Sequence, residues 1–143
     1  MLKDVGVQLN RLPEWGRGGG MLRTERLQNV KSPEVTVKLF ANLQFILPQW
    51  EGYDQASPAA RAEWDRMLGT LRVHEQRHLD IAIEEANSLA VTLVGEPISK
   101  IASMVTAANR EMARRQRELD NDTESGSKAG VQYGGVSLDT TIQ

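Results

Sequence analysis

The spacing of apolar residues changes rhythm near residue 57. Before that point the alternation has a period of two. Val5, Val7 and Leu9 alternate with polar neighbours and predict a short strand. Gly16 to Gly20, interrupted only by Arg17, predicts a flexible loop. It lacks the lysine and the strand-to-helix setting of a phosphate-binding loop. Glu34 to Leu47 is the main predicted strand, with Val35, Val37 and Leu39 alternating, then Leu43, Phe45 and Leu47. An irregularity or a tight hairpin fits near Asn42, and Pro48 ends the strand because it has no amide hydrogen to donate.

From Ser57 the period becomes helical. Ser57 suits a cap and Pro58 the first helical position. The helix is predicted to run to Val94, with Gly69 as a weak point, and Gly95 and Pro97 end it. A second helix, from about Pro97 to Leu119, carries Ile98, Ile101, Val105, Ala108, Met112 and Leu119 on one stripe and should pack antiparallel on the first. The tail from Asn121 to Gln143 is rich in Gly, Ser, Thr and Asp. It reads as loose, or as a closing loop with a final strand near Val131 to Ser137. The expected fold is α+β: a small N-terminal β layer on two long antiparallel helices, with an irregular C-terminal segment over them. A chain of 143 residues fits a single domain, 1–143, with strands and loops in 1–50, the helical pair in 57–119 and the closing segment in 120–143.

Composition narrows the function. A net charge of −2 gives no electrostatic case for nucleic acid or a membrane surface. Glu111 and Glu118 interrupt the arginines of 110–117, which read as a solvated helix face. There is no cysteine, so any metal must be held by nitrogen and oxygen. No apolar run approaches the roughly 20 residues of a membrane span, and the start lacks a signal-peptide pattern. The chain as it stands reads as cytoplasmic; a mature fragment of a periplasmic or secreted protein would read the same way.

The only two histidines stand in His74-Glu75-Gln76-Arg77-His78, an HExxH pattern. Residues four apart share one helix face, so both imidazoles can converge on one ion. Glu75 lies about 100° round the helix, near enough to take a proton from water on that ion but turned away from ligation. Trp64, Leu68, Leu71, Ala82, Ala86, Leu89 and Leu93 share a broad arc, with the histidines at its edge and Glu75 within it. Polar groups facing inward need partners, and a cation satisfies them. The plainer alternative is two core histidines bonded to carbonyls, with Glu75 in a buried ion pair. Glu85, two turns from His78, reads as a supporting or structural carboxylate.

Around this motif the chain resembles DUF922, a bacterial family of predicted zinc-dependent, zincin-like proteases. The resemblance rests on Leu47-Pro48-Gln49-Trp50, then Trp64, then His74 to His78 followed by Asp80, Ile81 and Ala82. After a second helix, Thr123-Glu124-Ser125-Gly126 and Gly130 stand where the family has Thr-x-His-Gly and a further Gly. The likeness spans roughly Val35 to Val131. It implies a metallopeptidase-like site with one Zn2+, His74 and His78 as ligands and Glu75 as base. The family's later histidine, its natural third ligand, is Ser125 here. Asp120, Asp122 and Glu124 are carboxylates that could substitute, with Glu124 or Asp122 favoured because they adjoin that position.

These readings predict a zinc-dependent peptidase acting on a peptide or protein, with the strand near Leu39 to Leu47 pairing with an extended substrate. The alternatives are a catalytically degenerate interaction protein on the same scaffold, and a purely structural metal site.

Overall fold

The computed structural model describes residues 1–26 and 37–143. The α+β class expected from the sequence is the one observed. In chain order the elements are α1 (Leu2–Leu9), β1 (Arg17–Arg26), β2 (Val37–Ile46), a short 3-10 turn (Tyr53–Gln55), α2 (Pro58–Thr92) and α3 (Ile98–Thr123).

The first segment corrects the sequence reading. Leu2 to Leu9 is a helix, not a strand. Leu2, Val5, Gly6 and Leu9 are buried while Val7 is exposed. Positions 2, 5, 6 and 9 follow the helical spacing, and burial against Trp64 and Met67 selects it over the local alternation.

The glycine run is the second correction. It is not a flexible loop: Arg17–Arg26 is strand β1, antiparallel to β2 in a continuous register that pairs Arg17 with Ile46 and Arg26 with Val37. The glycines answer a steric demand. A Cβ on Gly18 would overlap the Glu75 carbonyl, and one on Gly20 would stand 2.8 Å from the Asn42 carbonyl oxygen. Glycine in a strand commonly marks such a close backbone approach.

Strand β2 continues through Asn42 without a hairpin. Glu34 and Val35, expected to begin it, lie outside the described residues.

Helix α2 starts as expected. The Ser57 hydroxyl accepts from the Ala60 amide at 3.1 Å, and Pro58 takes the first position. It ends at Thr92, just short of Val94. Helix α3 lies antiparallel to it: Arg115 meets Glu85 at 2.7 Å, while Gln116 and Asp120 further along α3 meet His78, earlier on α2. Glu85 is therefore a structural carboxylate. Helix α3 runs to Thr123, one turn beyond the expected Leu119, and closes on Glu124 in the left-handed conformation with φ 49°.

The C-terminal segment has no strand at Val131 to Ser137. It folds back as a loop, with the Val136 amide donating to the Gly126 carbonyl at 2.8 Å. Further on, buried Glu63 accepts the Asp139 amide at 2.7 Å and Arg66 donates to the Ser137 carbonyl at 2.8 Å, which ties this segment to the first half of α2. Among the described residues, no helix is long and apolar enough to cross a membrane.

Candidate metal centre

Two apolar clusters meet α2. One gathers Trp64, Met67 and Leu71 with α1 and Val136; the other gathers Ile81, Ala82 and Leu89 with Leu22 and α3. The HExxH motif occupies the turn between them. His74, Glu75 and His78 are 2%, 5% and 7% exposed, so all three face inward as the arc on α2 requires.

The two imidazoles converge. His74 Nε2 and His78 Nε2 are 3.2 Å apart. The third group is Asp120, whose Oδ1 lies 3.0 Å from His78 Nε2 and 3.4 Å from His74 Nε2. Asp122 and Glu124, favoured from the sequence, are not members of this group. The reason is the added turn of α3. With the helix continuing to Thr123, Gln116 and Asp120 lie one turn apart on the face toward α2, while Asp122 points about 200° away from Asp120. Glu124 is the exposed cap residue, and Ser125 is likewise exposed.

Hydrogen bonds fix how the rings present themselves. His74 Nδ1 donates to the Tyr133 carbonyl at 3.0 Å. His78 Nδ1 donates to Gln116 Oε1. Both Nδ1 atoms are then protonated and both Nε2 atoms point at the Asp120 carboxylate: in the neutral rings they carry lone pairs, and in a protonated ring Nε2–H donates to Asp120. Three electron-pair donors facing one another repel unless a cation or a proton lies among them. Their spacings of 3.0, 3.2 and 3.4 Å fit the edges of a ligand tetrahedron. For zinc held at about 2.0–2.1 Å, that edge is about 3.3–3.4 Å. The donor set, two nitrogens and one oxygen, suits zinc and leaves a fourth position open.

The backbone around the site is shaped for these contacts. Tyr133 takes a left-handed φ of 64°, uncommon for a residue with a side chain, and its carbonyl is the one that meets His74. Gly126, φ 92°, lies flat against the same ring; a Cβ there would come within 3.1 Å of His74 Cγ.

Charge balance follows from burial and pairing. Burial pushes the Glu75 carboxyl up, and the nearby charges of His74 and His78 only partly offset this. Burial disfavours a charged His78, but its hydrogen bonds to Asp120 and Gln116 outweigh that and raise its pKa. Burial likewise opposes ionisation of Asp120, yet the hydrogen bonds from His74 and His78 hold its carboxyl well below the ordinary range.

Glu75 opens onto a cleft of about 890 Å³ shared by β1, α3 and the C-terminal loop, whose lining includes Gly18, Gly20, Met112 and Asp120. Strand β1, rather than the Leu39 to Leu47 strand, borders this cleft. Asn109 anchors β1 there: the Leu22 amide donates to Asn109 Oδ1 at 2.9 Å, and Asn109 Nδ2 donates to the Leu22 carbonyl at 2.8 Å.

Sequence reasoning listed Asp120 without preferring it and missed Gln116, Tyr133 and Gly18. A signal existed for two of them. Met112, Gln116 and Asp120 recur at four-residue intervals, which puts Gln116 on the inward stripe within the predicted helix and Asp120 on it once the helix is extended by a turn.

No curated protein and no solved structure matches the chain. A family model described as a bacterial protein of unknown function, DUF922, matches residues 24–127. That span contains His74, Glu75, His78 and Asp120 and most of the molecule's length. The chain belongs to the DUF922 family.

Proposed function

We propose that the chain is a zinc-dependent, zincin-like peptidase in which His74, His78 and Asp120 hold one ion and Glu75 acts as general base. The observation that carries this reading is the approach of His74 Nε2, His78 Nε2 and Asp120 Oδ1 to within 3.0–3.4 Å of one another beside a cleft that Glu75 also lines. When bound, the ion supplies Lewis acidity: it polarises a carbonyl and makes water a stronger acid.

The chain's own residues supply the rest. Glu75, with its carboxyl pushed up by burial, is suited to take a proton from water near neutral pH and pass it to the departing amine. Asp120 adds the negative charge that draws a divalent cation. The clusters on either side of the motif keep the ligands fixed.

Strand β1 supports an extended peptide as substrate. Main-chain groups of alternate residues in an antiparallel strand turn the same way. Leu22 directs its amide and carbonyl at Asn109, away from β2, so Gly18 and Gly20 direct theirs to the same side. That side lines the cleft, and an extended chain pairing there would pass beside the motif.

The degenerate-scaffold alternative rests on Ser125 replacing the family's histidine. Asp120 is a candidate third donor from another position, and its place beside the two histidines favours the peptidase reading. The test is metal analysis of purified protein, followed by hydrolysis assays on peptides and unfolded proteins with wild type and Glu75→Gln. Zinc at about one equivalent with Glu75-dependent cleavage supports the peptidase. Zinc without cleavage of any substrate points to a structural site, and absence of zinc to an interaction protein.

A further inference from the structure

Gln116 stands on α3 one turn before Asp120 and makes two hydrogen bonds to a single residue of the motif. Its Nε2 donates to the His78 main-chain carbonyl at 2.8 Å, and its Oε1 accepts from the His78 ring at Nδ1. The first contact fixes the sense of the second. A main-chain carbonyl can only accept, so the NH2 end of the carboxamide must face it. The carboxamide oxygen then faces Nδ1, and since that oxygen also only accepts, Nδ1 must carry a proton.

This matters because His78 has a competing state. Asp120 Oδ1 lies 3.0 Å from Nε2 and would accept a proton placed there. A neutral ring with Nε2 protonated has no lone pair at the point where the donors meet. Gln116 favours the opposite tautomer, the one with Nε2 free. His74 is held in the same sense by the main-chain carbonyl of Tyr133, which no side-chain substitution removes. For His78 the acceptor is a side chain and can be changed. Gly19 on β1 is its neighbour: a Cβ there would make ordinary contact with Gln116 Nε2, at 3.4 Å, and the φ of 138° at that position favours glycine.

We propose that Gln116 is a positioning residue: its carboxamide holds His78 in the tautomer that offers Nε2 to a cation, and thereby sets the affinity of the centre for a divalent metal. The proposal rests on the metal-centre reading above. Partners that orient metal-bound histidines typically contribute about 10- to 100-fold in affinity.

The test is zinc affinity by chelator competition for wild type, Gln116→Leu and Gln116→Glu, with circular dichroism to check the fold. Gln116→Leu should bind zinc about 10- to 100-fold more weakly than wild type. Gln116→Glu, which keeps an acceptor for Nδ1 but sets a second acceptor against the His78 carbonyl, should recover part of that loss. In the zinc-loaded protein the Nδ1 proton of His78 should exchange slowly in NMR spectra of wild type and rapidly in Gln116→Leu. Should Gln116→Leu not fold, Gln116→Met, closer in shape, reads the same quantities. A leucine or methionine variant with wild-type affinity overturns the proposal while leaving the metal centre intact. So does a leucine variant whose His78 Nδ1 proton exchanges as slowly as in wild type, because the carboxamide would then not be what holds that proton. A wild-type protein that takes up no divalent ion overturns the metal-centre reading and this proposal with it.

Discussion

Asp120 Oδ1 stands 3.0 Å from His78 Nε2, joining the last full turn of α3 to the middle of α2. This one contact extends the motif pair to a group of three potential donors. On the proposed reading, cation binding depends on Asp120 rather than on Asp122 or Glu124. Asp120→Ala should lower zinc affinity at least as much as losing a supporting hydrogen bond, about 10- to 100-fold. Asp122→Ala and Glu124→Ala should bind as wild type does. Chelator competition on the three variants gives the comparison, and a large loss in Glu124→Ala instead would move the third ligand to the loop.

Glu75 should separate chemistry from binding. Glu75→Gln keeps the size of the side chain and removes the proton acceptor. It should retain zinc and lose about 10²- to 10⁴-fold in hydrolytic rate. Single-turnover assays on a cleaved substrate, with metal content measured on the same sample, read both. Equal rates for wild type and variant would exclude Glu75 as the base.

Two glycines should respond to alanine in opposite directions. At Gly18 a methyl group meets the Glu75 carbonyl, so β1 and α2 must separate; Gly18→Ala should cost about 1–3 kcal/mol or more. Gly69 lies within α2 with nothing within 4 Å of its would-be Cβ. Gly69→Ala should stabilise by about 0.5–1 kcal/mol through helix propensity. Urea denaturation of both variants checks the pair; a harmless Gly18→Ala would contradict the close packing of β1 on the motif.

In the metal-free protein, stability should decline from mildly acidic to alkaline pH. The pKa of His78 is raised in the folded state, so its contribution is complete below the unfolded value of about 6.5 and fades as pH rises through the folded value. Glu75 is also raised and acts in the same direction, from its lower starting point. Zinc should reverse the trend, because it binds the deprotonated ligands and stabilises only the folded chain. Thermal melts from acidic to alkaline pH, with and without zinc, should cross. A metal-free Tm that climbs through this range would refute the assigned protonation of the site.

The sequence by itself determined the helical frame and the chemistry that frame can carry. Ser57 and Pro58 start α2, Gly95 and Pro97 separate it from α3, and the apolar stripes make both helices bury one side. A four-residue interval on a helix necessarily brings His74 and His78 to one face, and the arc of apolar residues turns that face inward. These features are local: they follow from backbone geometry and from capping within a few residues, so no distant partner has to be known.

The tertiary structure alone decided what meets that face. Val5, Val7 and Leu9 alternate, but contact with Trp64 and Met67 makes the segment a helix that buries Leu2, Val5 and Leu9. The glycine run looks flexible in isolation and becomes a strand because only residues without a Cβ can lie so close to Glu75 and Asn42. Asp120, Gln116 and Tyr133 lie 38 to 59 residues from the histidines they touch. Contacts across such separations depend on where α3 stops and how the last segment folds back. Those outcomes are set by packing between elements, and no periodicity within one element encodes them.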